Sequence, residues 1–198
     1  MTTQGPARRA TCEVVQFATA TEFEAWLDTH HDDHPGIWLK IAKKDANQAA
    51  LTYPEALDVA LCFGWIDGQK ARHDDHYWLQ RFTPRTGRSR WSQINRDKAE
   101  QLVAAGRMRQ AGLAEIERAR ADGRWDGAYA GQRTATVPGD FQHELDRDPQ
   151  AAAAFAALDS RNRYAIIYRI NDAKRPETRA HRITRYLGML RRGERIHD

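Results

Sequence analysis

The sequence predicts an α+β fold: a small antiparallel sheet packed by helices, followed by a C-terminal all-helical subdomain. Three observations carry this. Ile37, Leu39 and Ile41 alternate with Trp38 and Lys40, the period of a half-buried strand. Trp65 to Arg72 and Tyr77 to Thr83 are two extended runs joined by His73-Asp74-Asp75-His76, residues suited to a turn. Beyond Gly139 the apolar residues recur at helical spacing, as in the stripe Ile183, Leu187 and Leu190.

The elements can be taken in chain order. Val14-Val15-Gln16-Phe17 reads as a short strand. Thr19 or Thr21 can cap a helix carrying Phe23, Trp26 and Leu27, with Pro35-Gly36 as its stop. After the strand from Ile37, Thr52 caps a helix with Pro54 and Glu55 in its first turn. Ala56, Leu57, Ala60, Leu61 and Phe63 form its inward face, and Gly64 ends it. The hairpin comes next, then a basic loop from Pro84 to Arg90. Ser92 caps a helix running to about Ala105, and a second runs from Gln110 to Ala121. Asp148-Pro149, Asp159 or Ser160, and Pro176-Glu177 open three helices near the C-terminus, the last ending at Gly193.

Composition sets the domain plan. At 198 residues the chain fits one domain, or one domain with an appended smaller unit. Residues 1–12 are polar and read as a flexible tail, 13–126 as the α+β domain, 127–139 as a Gly-, Thr- and Pro-rich linker, and 140–198 as the helical subdomain. The N-terminus has no apolar run able to act as a signal-peptide core, and no later run reaches membrane-spanning length. Two cysteines, Cys12 and Cys62, make no disulfide framework, so a cytoplasmic location is expected, with Cys62 a buried thiol.

The charge of +4 favours an anionic partner without identifying one. Between Arg81 and Lys98 six cations face the single acid Asp97, interleaved with hydroxyls and tryptophans. Guanidinium groups match phosphate or carboxylate, hydroxyls add neutral donors, and indoles stack on flat groups. The expected ligand-binding residues are Trp65, Asp67, Arg81, Thr83, Arg85, Ser89, Trp91, Ser92 and Asn95, taking an anionic small molecule. The blander alternative is a solvated loop whose arginines pair with surface acids while the tryptophans fill the core. A second basic face, net +7 from Arg161 to Asp198, offers Arg179, Arg182, Arg185, Arg191 and Arg192 to nucleic acid, although no recognisable nucleic-acid-binding motif accompanies it.

Metal ligation is not expected. His30-His31-Asp32-Asp33-His34 and His73-Asp74-Asp75-His76 are runs of neighbours, and adjacent side chains rarely converge on one ion. No cofactor motif is present. Asp67, between Ile66 and Gly68, is the one carboxylate placed to serve as an acid or base, but no histidine or cysteine is paired with it, so enzymatic action is the less favoured alternative.

The runs GIWLKIAK from Gly36, LTYPEALDVALCFGWIDGQ from Leu51, RFTPR from Arg81, SRWSQIN from Ser89 and GRM from Gly106 resemble the bacterial YdeI/OmpD-associated proteins. The C-terminal run RYAIIYRINDAKRPETRAHRITRYLGMLRRGERIH is similar to the bacteriocin-protection domain of that family. The resemblance implies resistance to bacteriocins or cationic antimicrobial peptides through association with an outer-membrane porin. It assigns no catalytic residue; its matching polar positions are Trp65, Asp67, Gly68, Arg81, Thr83, Pro84, Arg85, Ser89, Trp91, Ser92 and Asn95. A basic chain without an export signal departs from that picture, because like charges repel a cationic peptide.

Overall fold

The computed structural model describes residues 13–43 and 51–198. The expected tail at 1–12, Cys12 included, lies outside them. The chain divides into two compact units, Met1–Ala128 and Tyr129–Asp198.

The first unit is α+β. Its elements are β1 (Val14–Val15), α1 (Ala20–His30), β2 (Ile37–Ala42), α2 (Tyr53–Cys62), β3 (Trp65–Arg72), β4 (Tyr77–Pro84), α3 (Gln93–Ala104) and α4 (Gln110–Ala121). The strand order is β1-β2-β4-β3. β3 and β4 pair antiparallel as the hairpin that the turn signals predict, and β2 pairs antiparallel with the other side of β4. β1 is shorter than expected and pairs parallel with β2, so the sheet is mixed. A helix separates β1 from β2, and that crossover permits a parallel pair where a tight turn does not.

Local signals fix the helices. Thr19 caps α1, its hydroxyl accepting from Glu22 N. Thr52 and Glu55 form a reciprocal capping box at α2, with Pro54 in the first turn. Ser92 caps α3. Gly64 ends α2 in the left-handed region at φ 72°, which glycine adopts without a Cβ penalty. The core is formed by Phe23, Leu27, Ile37, Leu39, Ile41, Phe82 and the inner face of α2.

The second unit is all helical, with α5 (Gly139–Asp146), α6 (Pro149–Ala157), α7 (Ser160–Asn171) and α8 (Pro176–Arg191). Phe141 and Leu145, one helical turn apart on α5, are buried with Phe155, Ile166, Ile170, Leu187 and Leu190. Within the expected linker, Ala135 and Val137 pack on this same core. Asn162 is 2% exposed and latches the end of the chain, accepting from Ile196 N and His197 N and donating to His197 O. Among the described residues no helix is long and apolar enough to cross a membrane.

Candidate functional site

The nine residues expected to bind ligand lie on β3, on β4, in the loop that leads into α3, and, for Asn95, in the first turn of α3 itself. Strand parity decides where each side chain goes, because successive residues face opposite sides of a sheet. Ile37, Leu39 and Ile41 on β2 and Phe82 on β4 face α1 and α2 and close the core. Trp38 and Lys40 on β2, and Arg81 and Thr83 on β4, therefore face the other side.

Three of the nine are structural. Trp65 is fully buried; its indole N–H donates to His31 O at 3.1 Å and its ring meets Trp26 edge-on. Trp91 is 2% exposed and packs edge-on against Trp125 at 4.8 Å. Arg85 is 5% exposed, with its guanidinium carbon 3.5 Å from the Trp91 ring centroid. Its Nη1 donates to Arg90 O at 3.3 Å, and its backbone N–H donates to Gly64 O at 2.9 Å. Arg85 thus leaves the strand and ties the basic loop to a buried indole.

The loop hydroxyls serve the loop itself. Ser89 Oγ accepts from Thr86 N at 2.9 Å, and the Ser89 carbonyl accepts from Arg124 Nη1 at 2.8 Å. Ser92 Oγ accepts from Asn95 N at 3.1 Å, the cap of α3.

Asp67 and Asn95 come together. The half-buried Asp67 accepts from the Tyr53 hydroxyl at 2.8 Å and from Asn95 Nδ2 at 3.4 Å. The starts of α2 and α3 thus meet at the edge strand β3, and among the described residues no cation forms an ion pair with Asp67. The register slips between Asp67 and Lys70: Asp67 pairs with Phe82 and Lys70 with Gln80. The buried Gln80 spans this bulge, its Nε2 donating to the carbonyls of Gly68 at 2.9 Å and Gln69 at 3.3 Å.

Arg81 and Thr83 are brought to the opposite face of the sheet. Arg81 lies over Trp38, with its guanidinium carbon 5.9 Å from the ring centroid, across a direct cross-strand pair. Lys40 Nζ lies 5.6 Å from the Tyr77 centroid on the same face. Thr83 is opposite Ile66. Arg81, Lys40, Trp38 and Thr83 are all half-buried, and among the described residues neither Arg81 nor Lys40 forms an ion pair with a carboxylate. The nearby Asp74 carboxyl is held below its usual range first by backbone donors at His76 and Tyr77, with Lys40 the least of the causes. Sequence reasoning did not include Trp38 or Lys40 in the site. The signal for them was present in the alternation of β2, whose polar positions must share a face with alternate residues of β4.

Of the five arginines offered to nucleic acid in the second unit, four are engaged with acids. Arg179 holds Asp140 through both Nε and Nη2, at 2.5 and 2.8 Å. Arg182 bonds Arg169 O and lies 3.6 Å from Asp172. Arg191 pairs with Asp148, the cap of α6, at 2.6 Å, and Arg192 with Glu194 at 2.7 Å. Arg185 makes no such pair among the described residues. The histidine runs close local structure: His30 stacks on Trp26 at 4.7 Å, His31 Nδ1 meets Leu27 O, and His34 Nδ1 accepts from Gly36 N.

Comparison with known proteins gives two matches. Residues 15–115 match the family model described as Domain of unknown function (DUF8412), and residues 134–193 match the one described as Bacteriocin-protection, YdeI or OmpD-Associated. No curated protein and no solved structure matches the chain.

Proposed function

We propose that this chain, which belongs to the family described as a domain of unknown function (DUF8412) and carries a C-terminal bacteriocin-protection, YdeI or OmpD-associated domain, uses its first unit as a non-enzymatic binding module for an anionic, phosphate-bearing ligand. The observation that carries this reading is the pairing of Arg81 with Trp38 and Lys40 with Tyr77 on one sheet face, neither cation ion-paired with a carboxylate among the described residues. A guanidinium held over an indole keeps its fork of donors pointing outward, and that fork matches phosphate oxygens. Thr83 adds a hydroxyl on the same face. A role in protection against bacteriocins comes to this chain only through the family description of its C-terminal domain. Cytoplasmic location belongs to the same proposal and is supported by the free thiol of Cys62.

The competing readings have less support. Nucleic-acid binding by the second unit asks for outward arginines, and four of the five candidates are committed to acids of their own unit. Acid or base catalysis by Asp67 asks for a partner group, and its partners are a phenol and an amide.

The test is thermal stabilisation of the full chain by inorganic phosphate, pyrophosphate and adenosine monophosphate at constant ionic strength. Wild-type protein should be stabilised, and the double variant Lys40→Ala with Arg81→Ala should need at least about tenfold more ligand for the same shift. An equal response in the double variant, or none in wild type, ends the reading.

A further inference from the structure

The bulge in β3 has a geometric consequence. In a regular strand Asp67 and Gln69 share a face and Lys70 lies on the other. One extra residue between Asp67 and Lys70 reverses that parity, so both pair with β4 residues of the same face, Phe82 and Gln80. A carboxylate-bearing and an ammonium-bearing residue are thereby brought to one side of an edge strand, their backbone positions roughly 7 Å apart along the chain direction, the rise of two strand residues.

These two charges form no ion pair with each other among the described residues. The Lys70 ammonium lies 4.9 Å from the Trp78 ring centroid and 5.2 Å from that of Tyr53. The two rings are 5.9 Å apart and tilted by 47°. Asp67 is oriented by the Tyr53 hydroxyl and Asn95. An ionised carboxylate offers about four acceptor positions; two are taken here, which leaves room for a donor of opposite charge. The bulge itself is braced: Gln80 is 0% exposed and its amide holds the Gly68 and Gln69 carbonyls. A buried amide spent on keeping an irregular backbone indicates that the reversed parity is a fixed feature of the fold.

We propose that this corner, formed by Tyr53, Asp67, Lys70, Trp78 and Asn95, binds a small zwitterion of the free α-amino acid class. The ligand's ammonium meets Asp67, its carboxylate meets Lys70, and its side chain lies against Tyr53 and Trp78. A purely anionic ligand would leave Asp67 opposed to it, and a purely cationic one would be repelled by Lys70; only a molecule carrying both charges satisfies both groups. The site is on the face opposite Arg81 and does not depend on the anion-binding reading.

The experiment is titration calorimetry of the full chain with glycine, L-phenylalanine, L-arginine and L-glutamate at neutral pH. N-acetyl-L-phenylalanine and L-phenylalaninamide, each lacking one of the two charges, are the controls. At least one free amino acid should bind, and its capped forms should bind at least about tenfold more weakly, as should the variants Asp67→Asn and Lys70→Gln. Lys70 is exposed, so Lys70→Gln tests the site where Asp67→Asn disturbs folding. The Lys40→Ala, Arg81→Ala protein should bind as wild type does. No heat with any free amino acid, capped forms within threefold of the free one, or full affinity in Lys70→Gln would each overturn the proposal.

Discussion

Replacing Arg85 with alanine separates a structural arginine from a ligand-binding one. The side chain is 5% exposed, stacks 3.5 Å from the Trp91 centroid, and donates to Arg90 O. A desolvated cation–π contact contributes about 2 kcal/mol, and a hydrogen bond from a charged donor contributes about 1.5 kcal/mol. These are not strictly additive, so about 3 kcal/mol is the expected loss. For a chain of this size that lowers Tm by about 6–12 °C, at about 2–4 °C per kcal/mol. Arg85→Lys keeps the charge but not the planar stack, and should lose roughly half as much. The assay is thermal unfolding followed by tryptophan fluorescence, which reports on the first unit because all six tryptophans lie before Ala128. If Arg85→Ala melts within about 2 °C of wild type while losing its response to phosphate, the assignment of Arg85 to the fold is wrong and it belongs to the ligand site.

Two titratable groups give further expected outcomes. Burial pushes the Cys62 thiol up to about 11, so the thiolate that alkylating reagents need is scarce at pH 8; the Cys62 peptide, read by mass spectrometry, should stay unmodified by iodoacetamide in native protein and become modified only in unfolding concentrations of urea. Asp140 is held below its usual range first by the hydrogen bonds from Arg179. A carboxyl whose folded pKa is depressed contributes stability above its unfolded value, near 3.9, and loses it as pH falls through the folded value. Far-UV circular dichroism of Asp140→Asn should therefore show a shallower loss of helix below about pH 4 than wild type, and an unchanged acid transition would contradict the role of this pair.

Much of the fold was legible because its signals are local. Thr52, Pro54 and Glu55 announce α2, Ser92 announces α3, and Gly64 and Gly193 adopt the positive φ expected of helix stops. The parallel pairing of β1 was not legible, since two valines carry no information about strand direction. α5 was not legible as a helix distinct from α6, because Phe141 and Leu145 give only two apolar positions in eight residues. The aromatic and basic richness of the stretch from Trp65 to Asn95 pointed to a site, yet Trp65, Trp91 and Arg85 are buried, and only Trp78 of its three tryptophans stays half-exposed. Composition cannot distinguish an arginine that meets solvent from one stacked on a buried indole.

Parity explains the rest of the difference. Proximity in sequence suggested that Asp67, Arg81 and Arg85 act together, but a strand sends them to three places. Phe82 must face the core, which forces Arg81 and Thr83 to the other side, while Asp67 pairs with Phe82 and so stays with the helices. The same rule would send Lys70 away from Asp67, and it fails there because of one inserted residue. That insertion leaves no mark in the hydrophobic pattern, since Asp67, Gly68, Gln69 and Lys70 contain no apolar side chain to reveal a change of phase. A site built on a bulge in a polar strand therefore appears only once the register is known. Here the register places two opposite charges side by side without letting them neutralise each other.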